Sequence, residues 1–297
     1  MAIVVFGVVT LVFFVLRIAS GDPAHLMNPP GQQEELVQLT REKIGTDRSL
    51  MVQYFDYLLG LTLGDLGVSF HGGQPVLGEV LKAVSNTAIL AVVTIVVSST
   101  ITLILGISAA LRANGAFDRA VLVYVSIAYA TPSFWLAIVL IMFFSVRLGW
   151  LPAIDKEGLK SFVLPVTTLA VVLTPVLIRT IRQSFLETLS DDHVRAARAR
   201  GIPERRVILV HGLKVAALPL VTLIGLQLGL ILAGSYVVES IFNWPGIGKL
   251  TLDALASRNF PMVQGGVLVA ALAFVIVNFL VDLAYAALDP RVRLGAK

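Results

Sequence analysis

The residue types that carry most enzymatic chemistry are sparse in this sequence. Cysteine is absent, which excludes disulfides, thiolate metal sites, iron–sulfur clusters and cysteine nucleophiles. None of the histidines lies four residues from another, the spacing at which a helix presents two imidazoles to one zinc ion. Inside the apolar stretches, Ser, His and Asp do not occur together at a helical spacing that would pair a nucleophile with a base. We therefore assign no catalytic residue, no metal site and no cofactor to this chain.

The basic, alanine-rich segment 190–203 has the pattern of a short and sharply bounded helix. Ser190 can cap its N-terminus, Gly201 supplies the left-handed residue that ends a helix, and Pro203 prevents continuation. Four charged residues complement the helix dipole at the two ends: Asp191, Asp192, Arg198 and Arg200. The pattern predicts a helix of about ten residues and a second helix that starts near 203 or 204. Such an element can be a plain connector or a docking site.

The elements that position this segment are apolar. Hydrophobic residues make up 57% of the sequence and charged residues 14%, with a mean hydropathy of +0.86, which is far too apolar for an ordinary soluble domain. A helix needs about 20 apolar residues to cross the hydrocarbon core. Six stretches lack Asp, Glu, Lys and Arg, the first of them the shortest: 1–16, 86–111, 120–146, 161–178, 215–238 and 260–281. The sequence therefore predicts an all-α, polytopic membrane bundle of six transmembrane helices, the first of them uncleaved.

The distribution of Lys and Arg predicts the orientation of the bundle. If the N-terminus is cytoplasmic, the inner segments 112–119, 179–214 and 289–297 hold 13 of these residues, and the much longer outer segments hold 10. Cytoplasmic loops carry the positive excess in membrane proteins, so both termini are expected in the cytoplasm. The same rule accounts for the net charge of +4 without nucleic acid, since no basic stripe with interleaved aromatics is present.

The outer segment 20–83 separates the first two predicted spans. Its periodicity predicts a short surface helix over 33–43 and an aromatic-rich amphipathic helix over 51–61. Two interpretations remain open for it. It can be a cap that lies on the membrane surface, or a docking and gating element at the external mouth.

The segment Arg195-Ala196-Ala197, with Gly201 and Leu218-Pro219 after it, resembles the EAA loop of permease subunits in bacterial ABC importers. The residues around it look like the dipeptide, oligopeptide and nickel branch, where Arg in place of the usual Glu and a late Leu-Pro pair are common. Ordered matches to this branch cover nearly the whole chain: Gly21-Asp22-Pro23, Gly64-Asp65-Leu66-Gly67, Thr131-Pro132-Ser133-Phe134, Leu148-Gly149-Trp150-Leu151-Pro152, Phe242-Asn243-Trp244-Pro245-Gly246-Ile247-Gly248 and Leu288-Asp289-Pro290-Arg291.

The resemblance implies a type I ABC importer permease fold and a single transmembrane permease domain over 1–297, of the B type because of its long outer segment. The loop 185–216 would hold the coupling helix that sits in a groove of a separate ATP-binding subunit. The partners implied are a second homologous permease, one or two ATP-binding subunits that bind ATP and Mg, an extracytoplasmic substrate-binding protein and the bilayer of a bacterial plasma membrane. The residues implied in coupling are Asp192, Arg195, Ala196, Ala197, Arg198, Arg200, Gly201 and Pro203.

Polar residues in or beside the apolar stretches are candidates for a translocation path, because lipid-facing surfaces do not hold unpaired polar groups. Those considered are Asn86, Ser98, Ser126, Tyr129, Ser133, Arg179, Arg182, Gln227, Ser235, Glu239, Asn278 and Asp282. The predicted path residues among them are Asn86, Ser133, Gln227, Ser235 and Glu239. Gln227 and Glu239 are expected on one helix, within about 120° of each other. Glu239 could instead form a structural ion pair.

The glycine-rich segment 246–250 could be mistaken for a phosphate loop. A phosphate loop needs Gly five residues before its Gly-Lys pair and Ser or Thr after it, but Asn243 and Leu250 stand there. The segment is instead predicted to be an external loop. The residues assigned to an external gate or to the binding-protein dock are Asp65, Trp244 and Gly246.

The function that the resemblance implies is ATP-driven import of di- or oligopeptides by alternating access. The permease itself would not be an enzyme, because ATP hydrolysis falls to its partners. The alternatives are import of nickel or another small solute and, less favoured, a self-contained secondary transporter. The last class should show internal repeats and midplane carboxylates, and neither is evident in the sequence.

Overall fold

The computed structural model of the protein describes residues 2–19, 24, 34–153 and 158–288. Within these residues the regular structure is helical, apart from one antiparallel bridge between Val68 and Pro75. The matching segments 21–23 and 289–291 lie outside the described residues. The helices are α1 Ala2–Ala19, α2 Glu34–Ile44, α3 Leu50–Thr62, α4 Val76–Leu111, α5 Ala116–Ala130, α6 Ser133–Leu140, α7 Val163–Ser190, α8 Asp192–Ala199, α9 Glu204–Arg206, α10 Leu213–Ala216, α11 Leu218–Gly234, α12 Tyr236–Ile241, α13 Ile247–Ala256 and α14 Phe260–Leu288. π-Helical turns follow α6 and α9, at Ile141–Arg147 and Val207–Gly212, and a 3₁₀ turn precedes α7 at Leu159–Phe162.

Three helices of the described chain are long and apolar enough to cross a membrane: Val76–Leu111, Leu159–Ser190 and Phe260–Leu283. Two bent helix pairs bring the number to five if each pair is one span, and a shorter apolar helix covers Ile3–Ile18. The count of six spans and the cytoplasmic location of the termini stay predictions.

The stretch 120–146, expected as one span, is broken between Ala130 and Ser133, where the helix axis bends by 101°. Proline disfavours helical backbone in the residue before it, and Thr131 is accordingly extended. A second bend of 52° separates α10 from α11, next to Pro219. Hydropathy alone did not reveal either bend, because both halves of each pair are apolar.

The chain divides into two compact units. The first contains α1 to α3, the start of α4, α12, α13 and most of α14, and its core includes Val76, Val80, Ile247 and Phe260. The predicted helices at 33–43 and 51–61 are present as α2 and α3. Phe13 packs against the Tyr54 and Tyr57 rings, with centroids 5.2 and 5.5 Å away, so α3 is held against α1 by aromatic contacts.

The second unit contains most of α4, the helices α5 to α11 and the end of α14. The helix α7 lies at its centre, because one of its faces packs Leu177, Ile181 and Phe185 into a fully buried core while Ile178 joins a cluster with Val121 and Val125. The same helix ends at Ser190, one residue before the N-cap of the predicted docking helix.

A buried ion pair joins α5 to α7. The guanidinium of Arg182 donates to both carboxylate oxygens of Asp118, at 2.6 and 2.7 Å, and the backbone N–H of Asn114 donates to the same carboxylate at 2.9 Å. Asp118 is 2% exposed. Arg182 is therefore held in the structural core of the second unit and does not line a polar path in this structure.

Candidate functional site

The predicted docking helix is α8, which spans Asp192–Ala199 and is shorter than the expected ten residues. Its N-cap is Asp191, with extended backbone angles, so the prediction of Ser190 as the cap was wrong. Ser190 is instead the last residue of α7, and its hydroxyl donates to the carbonyl of Glu187 at 2.7 Å. Ser190 thus still belongs to α7, and Asp191 is the residue with non-helical backbone angles that a cap requires.

The C-terminal end of α8 agrees with the sequence pattern. Gly201 has a φ of 72°, and the following backbone N–H of Ile202 bonds back to the carbonyl of Ala197 at 3.3 Å. Left-handed glycine with a backward hydrogen bond is a common way to end a helix. Pro203 then serves as the N-cap of α9, which starts at Glu204 as predicted.

The helix α8 has one buried face and one exposed face. Val194 and Ala197 are buried against Val207, with Leu189 and Ile202 beside them. Ala197, one of the residues implied in coupling, therefore packs inside the chain's own loop. The exposed face carries Asp192, Arg195, Ala196, Ala199, Arg200 and Gly201. Because the buried face links α8 to the end of α7 and to the turn at Val207, the three elements form one packed unit.

Both arginines of α8 already have partners within the chain. Arg198 donates two hydrogen bonds to the carboxylate of Glu204, at 2.8 and 3.2 Å, and these bonds raise the pKa of its guanidinium above the ordinary value. Arg195 lies 3.7 Å from Asp192 in an exposed pair. The bidentate pair ties α8 to α9 across the Gly201 turn, so Arg198 stiffens the loop and is less available to a partner than Arg195 or Arg200.

In the first unit, Glu239 is fully buried on α12. The Thr87 and Ser235 hydroxyls donate to it at 2.8 and 3.3 Å, and the backbone N–H groups of Gly248 and Lys249 also donate to it, the latter at 2.9 Å. Burial raises the pKa of this carboxyl, and the four donors act in the opposite direction. The donors are neutral, so the alternative of a structural ion pair at Glu239 is not what this structure contains.

The expectation that Gln227 and Glu239 share a helix was wrong. The helix α11 ends at Gly234, Ser235 lies outside both helices, and α12 begins at Tyr236. A break between two residues removes the fixed angular relation that a continuous helix would impose. Gln227 is half-buried on α11, and Ser133 is half-buried as the first residue of α6.

Gly246 is the N-cap of α13, and its backbone carbonyl accepts the N–H of Leu250 at 3.0 Å. A Cβ atom at this position would overlap the Glu239 carboxyl group and the Thr87 hydroxyl. The Glu239 carboxylate occupies the position at the N-terminus of α13 where a phosphate would bind in a phosphate loop. The geometry thus agrees with the sequence argument against nucleotide binding at 246–250.

The other residues assigned to a gate or path have mixed environments. Asn86 donates from its side-chain amide to the carbonyl of Pro245 at 2.9 Å and so holds the same turn as Glu239. Trp244 is only 4% exposed and its ring meets that of Phe162 edge-on at 4.8 Å, which does not suit a residue of an exposed dock. Asp65 is exposed and accepts the backbone N–H of Gly67 at 2.8 Å.

Comparison with known protein families shows to which family the chain belongs. Residues 102–294 match the model of the binding-protein-dependent transport system inner membrane component, and residues 1–106 match its N-terminal counterpart. The chain belongs to this family of permeases. It is thus an ABC importer permease of the peptide and nickel type, a multi-pass protein of the bacterial inner membrane and a transport subunit rather than an enzyme.

Curated relatives match this permease over nearly its whole length. The glutathione transport system permease protein GsiC of Escherichia coli O6:H1 is 38% identical over 288 residues, which cover 97% of this chain and 94% of that protein. The protein of the same name from Salmonella typhi is 37% identical over 286 residues, or 96% of this chain and 94% of that one.

Solved structures support the fold of the permease. A chain of the methionine ABC transporter MetNI, in an inward-facing conformation, has a TM-score of 0.58 at 18% identity and covers 71% of this chain and 96% of its own. An amino acid ABC transporter crystallised with histidines has a TM-score of 0.51 at 16% identity, covering 72% and 94%.

Two functional features were missed in the sequence. The Thr87 hydroxyl donates to Glu239 at 2.8 Å and accepts the N–H of Ile247 at 2.9 Å. Thr in an apolar helix most often bonds to its own helix backbone, so the sequence did not indicate this role. Asp118 gave a usable signal, because a lone carboxylate at the start of an apolar helix predicts a buried cationic partner.

Proposed function

We propose that this permease translocates di- or oligopeptides into the cytoplasm by alternating access, driven by ATP bound to separate subunits. Its relatives at 37% and 38% identity are named for transport of glutathione, which is a tripeptide, and they match 96% and 97% of the chain. Nickel or another small solute is the alternative substrate. The substrate class is a proposal because, in importers of this kind, an external binding protein performs most of the selection.

The observation that carries the coupling mechanism is the two-faced helix α8. Its exposed face presents cationic and small residues, and its buried face is packed onto the end of α7. A displacement applied to the exposed face is thus transmitted to a long, buried helix, because packed helices move as units and do not deform continuously. A plain connector would need no such packing.

In this mechanism the loop 190–219 sits in a groove of an ATP-binding subunit, and ATP and Mg bind only to that partner. Arg195, Ala196 and Arg200 form the contact surface, and the Arg198–Glu204 pair with Gly201 and Pro203 holds its shape. The full assembly contains a second homologous permease, one or two ATP-binding subunits and an extracytoplasmic substrate-binding protein. No nucleic acid is involved.

The same proposal assigns the polar path to the half-buried residues Gln227 and Ser133 of the second unit. Ser235, Glu239 and Asn86 were assigned to the path from the sequence, but they are hydrogen-bonded within the first unit around Gly246. They suit a positioning role for the 243–248 turn, which we assign to the gate.

Reversing the charge of the exposed arginines should separate the permease from its ATPase. In Arg195→Glu with Arg200→Glu, the contact surface loses two cations and gains two carboxylates, so less ATP-binding subunit should co-purify in mild detergent. Arg48→Glu is the matched control, because Arg48 is an exposed arginine of the first unit, paired with Asp56. Unchanged recovery of the ATPase would contradict the assignment of α8.

Gly201→Trp should reduce uptake at least about tenfold, since holding a bulky residue in the left-handed region costs about 1–2 kcal/mol and its side chain projects onto the docking face. No atom lies within 4 Å of the position of a Cβ at 201, so the bundle itself should stay folded. Asn tolerates this backbone conformation, and Gly201→Asn should keep most of the uptake. Normal uptake by the Trp variant would refute the role of this turn in coupling.

The substrate is tested with the assembled transporter in liposomes, together with its binding protein. Uptake of a labelled tripeptide that unlabelled di- and tripeptides inhibit, with no response to Ni²⁺, would support peptide import. Uptake of Ni²⁺ without competition by peptides would replace peptide with nickel and leave the coupling mechanism intact.

A further inference from the structure

A cavity of about 200 Å³ lies in the first unit, beside the end of α1. It is lined by residues of α1, the end of α2 and the turn after it, α3 and the turn after it, and the start of α14, with both charged and aromatic side chains among them. None of these residues belongs to the coupling helix or to the Glu239 cluster, although Asp65 is among the residues that the sequence assigned to an external gate or dock.

Three buried polar atoms, each on a residue that lines this cavity, have no hydrogen-bond partner among the described residues. They are Nη1 of Arg17, Oγ1 of Thr46 and Nε2 of Gln264. Gln264 is 5% exposed, so water at the protein surface does not satisfy its amide. Buried donors without a partner are rare in folded proteins because each one costs free energy, and three at one cavity indicate a missing ligand.

Two contacts fix the Arg17 side chain and leave its Nη1 without a hydrogen-bond partner in the described part of the chain. Its Nε donates to Oε1 of Gln53 at 2.9 Å, and its guanidinium lies 3.6 Å from the centre of the Phe13 ring. A guanidinium fixed in this way, together with an amide donor and a hydroxyl, is suited to a compact oxyanion such as a phosphate group. All three groups can donate hydrogen bonds, and the arginine is cationic, so together they suit an oxyanion.

The surroundings indicate where this anion comes from. The neighbouring faces of α1 and α3 expose large apolar side chains: Phe6, Leu11, Val15, Ile18, Met51, Phe55 and Leu59. An arginine in the last turn of an apolar helix, next to an amphipathic helix with tyrosines, lies where lipid headgroups lie. Asp56 and Asp65 line the same cavity and could accept the ammonium of a zwitterionic headgroup.

We propose that this cavity binds the phosphate group of a phospholipid, with Arg17, Gln264 and Thr46 as donors to the phosphate oxygens. The bound lipid pins α3 against α1 and satisfies the three orphaned groups. A free phosphate ion has the same chemistry, so the experiment separates the two sources.

The test uses the complete transporter, stripped of lipid in detergent and titrated with dioleoylphosphatidylethanolamine, with dioleoylglycerol or with inorganic phosphate. Native mass spectrometry counts the bound molecules, and thermal unfolding reports the stabilisation by each. The phospholipid should bind to the wild-type protein and raise its unfolding temperature, while dioleoylglycerol, which has the same chains without phosphate, should not. Stabilisation by inorganic phosphate alone would assign the site to the free ion.

Gln264→Leu and Thr46→Val remove one donor each with little change in size. Each should weaken phospholipid binding about tenfold, the usual effect of losing one charge-assisted hydrogen bond. Gln183→Leu and Thr100→Val, at exposed positions of the second unit, are the matched controls and should bind as the wild type does. If Gln264→Leu fails to assemble, Gln264→Glu keeps the shape and should bind less lipid because it places an anion beside the phosphate. Equal binding by wild type and cavity variants, or equal binding of dioleoylglycerol, would overturn the proposal.

Discussion

Gly246→Ala should abolish both stable assembly and uptake of this permease. The new methyl group would overlap the Glu239 carboxyl and the Thr87 hydroxyl, and neither group can move away without breaking its hydrogen bonds. The carboxylate holds the N–H of Lys249, and the hydroxyl holds the N–H of Ile247, so a displacement would leave buried donors unpaired. The purified protein should show a large fall in unfolding temperature, or none should be recovered from the membrane.

Gly78→Ala is the matched control for this substitution. Gly78 lies in the first turn of α4, in the same unit, and no atom lies within 4 Å of the position of a Cβ there. Alanine is the better helix former, so this variant should be unchanged or more stable by about 0.5–1 kcal/mol. Equal stability of the two variants would show that the contact at Gly246 is not a tight one in the protein.

A milder substitution tests the carboxylate itself. Glu239→Gln keeps the size of the side chain but points an N–H₂ group at one of the four donors, so at least one buried donor is left facing another. The expected loss is about 1–3 kcal/mol, the usual cost of a buried unsatisfied group. Thermal unfolding and uptake should fall together, because the residue holds the proposed gate and does not contact the substrate. Loss of uptake at full stability would instead return Glu239 to the path.

Features that depend on a few neighbouring residues could be predicted from the sequence. The end of α8 at Gly201 and the start of α9 after Pro203 follow from the backbone preferences of glycine and proline, and both are present. The N-cap was predicted wrongly, because Ser190 and Asp191 are both good caps and the preceding helix continues through Ser190.

Features that depend on distant residues could not be predicted in this way. The break at Ser235 lies inside the apolar run 215–238 and far from its proline, Pro219, so hydropathy predicted a continuous helix there. Glu239 accepts a hydrogen bond from Thr87, which is 152 residues away along the chain. The sequence around either residue gives no sign of such a pairing. The bend after Ala130 was predictable from Pro132, but the apolar run around it concealed the proline signal.

Asp118→Asn should destabilise the second unit by about 3 kcal/mol, because removal of one partner leaves the other charge of a buried pair uncompensated. In the wild type, Nε and Nη2 of Arg182 donate to separate oxygens of Asp118. The Asn amide has only one oxygen and cannot accept both in the same way. Since the pair joins α5 to the helix that leads into α8, uptake should also fall more steeply than the amount of folded protein. Thermal unfolding in detergent and initial uptake rates, per assembled transporter, measure the two effects.

The double variant Asp118→Leu with Arg182→Met separates charge from geometry. An apolar pair of similar volume often restores or exceeds the stability of a buried ion pair, so this variant should unfold at about the wild-type temperature while either single replacement does not. If the pair serves only stability, the double variant should also transport normally. If its bidentate geometry sets the direction in which α7 carries the motion of α8, the double variant should be stable and slow. Single variants that are as stable as the wild type would mean that the pair is not buried in the assembled transporter.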